Sequence, residues 1–207
     1  MNIKGMSVGP IGTNCYIVFD DQDAIVIDPG AESEKILGFL NQRKLHVQAI
    51  LLTHAHFDHI GALEEVRKAT GAEVYLHKSE SSWLSDPMLN GSFKLQGREI
   101  LVSPADKPLN PGRLRIGSFD FTILHTPGHS PGSVSFIFEE DHFIVSGDVL
   151  FYQGIGRTDL PGGSMEELEL SIRNQLYLLD DAFTVYPGHG PATTIGMEKK
   201  SNPFVRK

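Results

Sequence analysis

The seven residues from Thr53 to His59 constrain this chain more than any other stretch. They read Thr-His-Ala-His-Phe-Asp-His, so three histidines and one aspartate fall within seven positions. The apolar run from Ala49 to Leu52 precedes them, and a helical pattern starts near Gly61. The pattern predicts a strand that leads into a loop of potential metal ligands and a helix that leaves the loop.

The spacing within this stretch predicts more than one direction for its side chains. His54 and His56 fall on one side of an extended chain, because side chains repeat every second residue in a strand. Asp58 and His59 follow a turn and can point elsewhere. Imidazole and carboxylate groups are ligands that suit zinc, iron or manganese. One loop of this kind could therefore supply ligands to two adjacent ions.

Three later segments resemble one another because each follows a predicted strand and turns on glycine or proline. They are Thr126–Gly132, Ser146–Asp148 and Tyr186–Gly190. Glycine lets the backbone turn sharply and approach an ion closely. The combined candidate ligands are His54, His56, Asp58, His59, His129, Asp148 and His189.

A structural role is the alternative for any single histidine in such a loop. Burying three imidazoles and a carboxylate together without a metal would leave polar groups unpaired, at a cost of several kcal/mol. The cluster therefore favours a metal site. His46 and His142 lie in polar connections and are predicted to be exposed. His125 precedes a Pro-Gly turn and is predicted to buttress it by hydrogen bonding.

Length, charge and cysteine content exclude several classes of protein. A chain of 207 residues forms one domain or two fused halves. The net charge of −8 argues against nucleic acid as a partner, and no apolar run approaches the ~20 residues that span a bilayer. The single Cys15 allows no intrachain disulfide, and no apolar signal segment opens the chain. We therefore expect a cytoplasmic protein.

The order of predicted elements is strands and then a helix, twice. This order predicts an α+β protein with two sheets packed face to face and helices outside, in halves of about 1–112 and 113–207. The sequence Ser-Met-Glu-Glu at Ser164 predicts a capping box at the start of a helix. Residues 85–112 lack periodicity and are predicted to form a wall or partial lid beside the active site, with a surface excursion as the alternative. The predicted strands are Ile3–Val8, Cys15–Phe19, Ala24–Ile27, Ala49–Thr53, Glu73–Leu76, Leu114–Ile116, Phe119–His125, Val134–Phe138, Phe143–Val145 and Phe183–Tyr186.

These motifs and their order resemble the metallo-β-lactamase superfamily, and within it the short form of the glyoxalase II group, the hydroxyacylglutathione hydrolases. The resemblance covers nearly the whole chain. It implies a single four-layer αββα domain of two mixed sheets, with the site at the edge between them. It also implies that one ion is held by His54, His56 and His129, the other by Asp58, His59 and His189, and that Asp148 bridges them.

The chain departs from the long members of that group near its end. They continue into a helical C-terminal domain that helps to bind glutathione, whereas this chain ends at Lys207. Arg157 keeps a positive charge that they carry, but Asp159 stands where they have a tyrosine. We expect Arg157 to contact an anionic group of the substrate, with an ion pair to Asp159 as the alternative.

The expected reaction is hydrolysis of a thioester of a small hydroxyacid by a metal-bound hydroxide. Two divalent ions, zinc first with iron or manganese as alternatives, would lower the pKa of a bridging water. Asp58 and Asp148 are the candidate catalytic residues, with Asp58 orienting the hydroxide or accepting its proton. A thiolate, with a thiol pKa of about 8–9, leaves without a strong general acid. The expected partner is therefore a small-molecule thioester.

Other functions fit the same motifs. Persulfide dioxygenases resemble the chain in the segment Gly156–Asp159 and would use one iron held by His54, His129 and Asp148. A lactonase is possible on this scaffold, whereas the shared Asp148 disfavours a β-lactamase and the charge disfavours a nuclease. A metal sensor or a scaffold protein is the non-enzymatic alternative.

Overall fold

The computed structural model describes residues 1–206. This part of the chain divides into two compact units. The first unit comprises Met1–Leu109 with Arg115–Phe119, and the second comprises Asn110–Leu114 with the residues from Asp120 onward. The structure is α+β, as predicted, with two six-stranded mixed sheets and a two-stranded ribbon. None of the helices in the described chain has the length and apolar character that a membrane crossing requires.

The first sheet has the spatial order β1-β2-β3-β4-β5-β6. Its first three strands are antiparallel neighbours, whereas β3, β4, β5 and β6 run parallel to one another. The strands are β1 (Asn2–Val8), β2 (Thr13–Phe19), β3 (Asp23–Ile27), β4 (His46–Leu51), β5 (Glu73–His77) and β6 (Lys107–Leu109). The helices of this unit are α1 (Ser33–Arg43), α2 (Phe57–Ile60), α3 (Leu63–Thr70) and α4 (Ser92–Gln96).

The core of the first unit joins one face of this sheet to its helices. Ile36 and Leu40 are the buried residues of α1, at the i, i+4 spacing of one helix face. They belong to one apolar cluster with Ile17, Val26 and Ile50 of the strands. Each fully buried aliphatic side chain contributes about 1.5–3 kcal/mol to folding.

The second sheet has the spatial order β14-β13-β10-β9-β8-β7. Its strands are β7 (Gly112–Ile116), β8 (Phe119–His125), β9 (Val134–Phe138), β10 (Phe143–Gly147), β13 (Thr184–Pro187) and β14 (Thr193–Thr194). The separate ribbon pairs β11 (Leu150–Phe151) with β12 (Gly154–Ile155), and the helices are α5 (Met165–Asn174) and α6 (Ile195–Ser201). Leu168 and Ile172 of α5 pack in an apolar cluster with Ile144 and Val185 of the sheet.

Several local predictions are confirmed. Strands β8 and β9 have the predicted bounds. Ser164 caps α5, since its hydroxyl accepts a hydrogen bond from Glu167 N at 3.3 Å. His46 and His142 are exposed, and His125 Nε2 donates to Pro131 O at 2.9 Å.

Other local predictions were wrong in physically informative ways. Residues 57–60 form the one-turn helix α2 and not a loop, so Asp58 and His59 are consecutive helical residues. Segment 85–112 contains helix α4 and strand β6, which are too short for a periodic apolar pattern. Helix α6 was not predicted, although Thr194 caps it by accepting a hydrogen bond from Met197 N at 3.2 Å.

Gly128 is a position where the backbone permits no side chain. Its φ is +127°, and a Cβ atom there would lie 2.1 Å from Leu168 N of α5. Gly128 O also accepts a hydrogen bond from Ser164 N at 2.7 Å. The missing Cβ therefore lets the turn that carries His129 lie directly against α5.

We predict that Gly128→Ala lowers the free energy of unfolding by about 3 kcal/mol, because the backbone must shift and the left-handed φ disfavours alanine. Gly38→Ala in α1 is the matched control, since a Cβ there meets nothing within 4 Å. That change should instead raise stability by about 0.5–1 kcal/mol. Urea denaturation checks both, and equal stability of the two variants would contradict the proposed packing.

Candidate metal centre

Three parallel strands of the first unit end at one edge of the sheet, and each is followed by a polar side chain of the candidate site. Ile27 of β3 pairs with Leu51 of β4, so the two strands end in register. Asp28 follows β3, the segment from Thr53 to His59 follows β4, and Glu80 lies in the 3₁₀ turn after β5. The carboxyl edge of this parallel array thus collects the ligand-bearing segment and two buried acids.

Asp28 organises the ligand segment through three hydrogen bonds. Its side chain is buried, and its Oδ1 accepts from Thr53 N at 2.7 Å. Its Oδ2 accepts from Thr53 Oγ1 at 2.6 Å and from His59 Nδ1 at 2.9 Å. Because an ionised carboxylate only accepts, Nδ1 of His59 carries the proton and Nε2 is the nitrogen suited to a metal.

Asp28 also fixes His54, through the Thr53 hydroxyl. That hydroxyl has one proton, which it donates to Asp28. It must therefore accept from His54 Nδ1, which lies at 3.0 Å. His54 then has the same tautomer as His59, with Nε2 as the donor atom for a metal.

Asp58 is oriented by Thr13 at the start of β2. Thr13 Oγ1 donates to Asp58 Oδ2 at 2.7 Å, and Thr13 is buried. His59 Nε2 lies 3.4 Å from the same oxygen. Two ligands on one tetrahedral ion, with bonds of about 2.0–2.1 Å, are separated by about 3.4 Å. Asp58 and His59 therefore have the spacing of two ligands that share an ion.

Glu80 supports the turn that holds His54 and His56. It is fully buried, and its Oε2 accepts a hydrogen bond from Ala55 N at 2.6 Å. The His56 ring lies 5.6 Å from the ring of Trp83, which follows the 3₁₀ turn that contains Glu80. The backbone between the two histidines is thus held by a buried carboxyl acceptor.

The second unit brings together the other three candidate ligands. His129 Nε2 lies 3.6 Å and His189 Nε2 lies 3.5 Å from Asp148 Oδ2. His129 Nδ1 donates to the carbonyl of Arg157 at 2.8 Å, which again leaves Nε2 for a metal. One carboxylate oxygen therefore sits within ligand spacing of two imidazoles.

Gly156 makes this arrangement possible. A Cβ atom at this position would lie 1.9 Å from Asp148 O and 3.1 Å from His129 Cβ. Because Gly156 has no side chain, the segment that follows β12 can pass against both residues. Arg157 O can then reach the His129 ring.

The donor set fits a divalent transition metal. All seven candidate ligands are histidine or aspartate, and each belongs to a group that could hold a metal ion. The hydrogen bonds at Nδ1 place the lone pair of His54, His59 and His129 on Nε2. The N···O separations of 3.4–3.6 Å match two ligands on one small ion. Zinc, iron and manganese accept these ligands.

Comparison with known proteins assigns the family. The family profile described as "Metallo-beta-lactamase superfamily" matches residues 8–189. The chain belongs to the metallo-beta-lactamase superfamily. This match confirms the resemblance noted from the motifs. The general function of the chain is that of a metallo-hydrolase with a His/Asp metal site.

Two curated relatives cover almost the full chain. A protein of Bacillus subtilis described as "Probable metallo-hydrolase YqgX" is 48% identical over 206 residues, which is 99% of this chain and 98% of that protein. A protein of Haemophilus influenzae described as "Hydroxyacylglutathione hydrolase GloC" is 38% identical over 208 residues, with coverage of 99% and 98%.

Two solved structures confirm the fold. The structure described as BLEG-1 B3 metallo-beta-lactamase has a TM-score of 0.97 and 49% identity, and each chain is covered to 100%. The structure of TTHA1623 in a di-iron-bound form has a TM-score of 0.88 and 39% identity, with 98% of this chain and 100% of that chain covered.

Arg157 makes the ion pair that was the alternative to substrate contact. Its Nε lies 2.7 Å from Asp159 Oδ1, and its second amino group donates to Asp159 Oδ2 at 2.7 Å. These hydrogen bonds raise the pKa of the Arg157 guanidinium above its ordinary value. The role of Arg157 in substrate binding stays a prediction.

Cys15 lies in the apolar core of the first unit and is a poor metal ligand. It is a free, buried cysteine. Burial first, and the negative charge of Asp28 second, raise the pKa of its thiol far above the ordinary value. The thiol therefore stays protonated at neutral pH, whereas metal binding needs the thiolate.

A cavity of about 530 Å³ in the first unit reaches the ligand segment. Asp58 and Thr13 line one part of it, and Gln96, Arg98 and Ile100 line another. Part of segment 85–112 therefore forms a wall beside Asp58, as the sequence predicted.

Sequence reasoning missed the three residues that hold the ligand segment in place, Asp28, Glu80 and Thr13. The available signal was position, because Asp28 and Glu80 each follow an apolar strand that runs parallel to β4. In the sequence, Asp28 stands before Pro-Gly, a pair that is typical of turns and gives no sign of a buried acid.

We predict that Thr13→Val lowers the affinity for the ion that Asp58 would hold by about 10–100-fold, because the carboxylate loses the hydrogen bond that fixes it. Thr13→Ser keeps the hydroxyl and should bind nearly as wild type. Competition with a chromophoric chelator measures each affinity. Equal binding by the valine and serine variants would show that the hydroxyl does not position Asp58.

Asp28→Asn should have a broader effect. The amide can accept fewer hydrogen bonds and carries no charge, so both His54 and His59 lose their fixed tautomer. We expect weaker binding of both ions, by about tenfold or more for each. The same chelator titration checks this, and loss confined to one ion would contradict a shared role for Asp28.

Proposed function

We propose that this chain is a dinuclear metal-dependent thioesterase that hydrolyses S-2-hydroxyacyl thioesters of the lactoyl type. His54, His56 and His129 would hold one divalent ion, for which zinc is our first choice. Asp58, His59 and His189 would hold the second ion, and Asp148 would serve both.

The position of Asp148 is the observation that carries the dinuclear part of this proposal. Its Oδ2 lies within 3.6 Å of both His129 Nε2 and His189 Nε2, which we assign to different ions. A carboxylate oxygen at this spacing from two imidazoles suits a bridge. The di-iron form described for TTHA1623 supports the same metal count.

The substrate class is supported by the relative described as hydroxyacylglutathione hydrolase GloC. The chemistry agrees with this assignment, because the leaving thiolate has a conjugate pKa of about 8–9 and needs no strong general acid. When bound, the ions would supply an acidified water and polarise the scissile carbonyl.

The residues of the chain would then hold the proton of the attacking water. We assign this proton to the carboxylate of Asp58, which Thr13 orients through Oδ2. The tautomers fixed by Asp28 keep His54 and His59 as ligands and not as proton donors. The side chains of Asp148 and His189 are 11% and 27% exposed, so solvent reaches this part of the site.

Hydrolysis of a β-lactam is a second candidate. It is favoured by the high identity to the protein described as a B3 metallo-beta-lactamase. The leaving group of that reaction is an amine, which needs a proton that a thiolate does not.

We predict that purified protein contains two equivalents of divalent metal and hydrolyses S-lactoyl thioesters faster than β-lactams. His56→Ala should lower thioester turnover by about 100-fold or more, because a ligand is lost. His46→Ala is the matched control, since the His46 side chain is 72% exposed. Elemental analysis, thiol release and β-lactam absorbance are the measurements.

Each other outcome assigns a different function. One iron per chain with oxygen uptake on a low-molecular-weight persulfide would replace the thioesterase with an oxygenase. Faster cleavage of β-lactams would select the second candidate. Equal thioester turnover by His56→Ala and wild type would show that the metal held by His56 takes no part in the reaction.

A further inference from the structure

The cavity of the first unit is large enough for a small molecule and extends away from the ligand segment. Its volume of about 530 Å³ lies in the range of small-molecule sites. It begins at Asp58 and Thr13 and continues along the first turn of α1 to the segment that carries Arg98. A substrate with its carbonyl at Asp58 therefore has room for its other half here.

Some of the charged side chains that line this cavity form an ion pair with each other, and the others do not. Glu32 and Lys35 are engaged with each other, at 3.2 Å between Oε2 and Nζ. Glu32 also accepts from Gly9 N at 2.9 Å, and Lys35 donates to Ser7 O at 2.7 Å. Glu32 and Lys35 therefore form part of the cavity wall, and their opposite charges neutralise each other.

The remaining charges in the lining, apart from Asp58, are those of Glu34, Glu65 and Arg98. All three side chains are exposed. Arg98 uses Nε in a hydrogen bond to Gln96 Oε1 at 2.7 Å. Its two terminal amino groups are the pair that can grip a carboxylate, while the two glutamates favour an ammonium group.

The backbone holds Arg98 in place through buried polar side chains. Asn90 Nδ2 donates to Ile100 O at 3.0 Å, and Ser92 Oγ accepts from Ile100 N at 3.0 Å. Both side chains are fully buried. Asn90 O also accepts from Phe57 N at 2.9 Å, which ties this loop to the residue before Asp58. Arg98 thus lies in a loop whose backbone is hydrogen-bonded to the ligand segment.

Arg157, the other candidate for an anionic group, is differently placed. Its Nε and one amino group are both engaged by Asp159 at 2.7 Å. The same fork geometry on Arg98 is engaged only through Nε in the hydrogen bonds described above. Arg98 is therefore the better carboxylate contact.

We propose that this cavity binds the thiol half of the substrate, and that this half is a small thiol carrying both an ammonium and a carboxylate group. Arg98 contacts the carboxylate, and Glu65 and Glu34 face the ammonium. This assignment rests on the proposed thioesterase function and specifies its substrate.

The test compares lactoyl thioesters of two thiols, glutathione, which is zwitterionic, and N-acetylcysteamine, which is neutral. In Arg98→Gln, the ratio of kcat/KM for the glutathione ester to that for the neutral ester should fall about tenfold, mainly through KM. Arg115→Gln is the matched control, because Arg115 is an exposed arginine outside the cavity lining. That control should keep the wild-type ratio.

A second measurement does not depend on turnover. Calorimetry should show that S-methylglutathione, which has no scissile bond, binds wild type about tenfold more tightly than Arg98→Gln. An unchanged ratio and unchanged binding in Arg98→Gln, with active wild type, would overturn the cavity assignment alone. Absent hydrolysis of both esters by wild type would overturn the thioesterase, and absent binding of S-methylglutathione to wild type would overturn the cavity assignment whatever the activity.

Discussion

The buried carboxylate of Asp28 is the constraint on which the candidate centre depends. Its φ of 51° lies in the left-handed region, which costs a non-glycine residue of order 1–3 kcal/mol. Three hydrogen bonds and the backbone bond from Asp28 N to Leu51 O hold it there. At this position one acid fixes two histidine tautomers, directly for His59 and through Thr53 for His54.

The two units hold their candidate ligands in place by different interactions. In the first, parallel strands β3, β4 and β5 end at one edge, and buried acids after β3 and β5 hold the ligand segment after β4. In the second, glycine replaces side-chain support. Gly128 and Gly156 let the chain pass at distances that any Cβ would forbid, and a main-chain carbonyl orients His129. Hydrogen bonds to buried carboxyl groups hold one set of ligands, and close backbone packing supports the other.

The sequence predicted the candidate ligands but not the residues that hold them in place. The candidate ligands could be found because histidine is rare and its clustering has few explanations, as in the segment from His54 to His59. Asp28 and Glu80 could not be ranked, because an acid at the end of a strand is ordinary in a turn and its burial depends on neighbours distant in sequence. Segment 85–112 appeared irregular because Asn90 and Ser92 satisfy its backbone by side-chain bonds, which leave no periodic trace.

In the proposed centre, Asp148 joins two metal positions, one of which depends on Asp58 and His59. Anomalous diffraction from crystals of the metal-loaded protein tests it most directly. We expect two metal peaks, one on each side of Asp148, with Asp58 and His59 ligating the second. A single peak bound by His54, His129 and Asp148, with Asp58 and His59 holding no metal at saturating concentration, would contradict it.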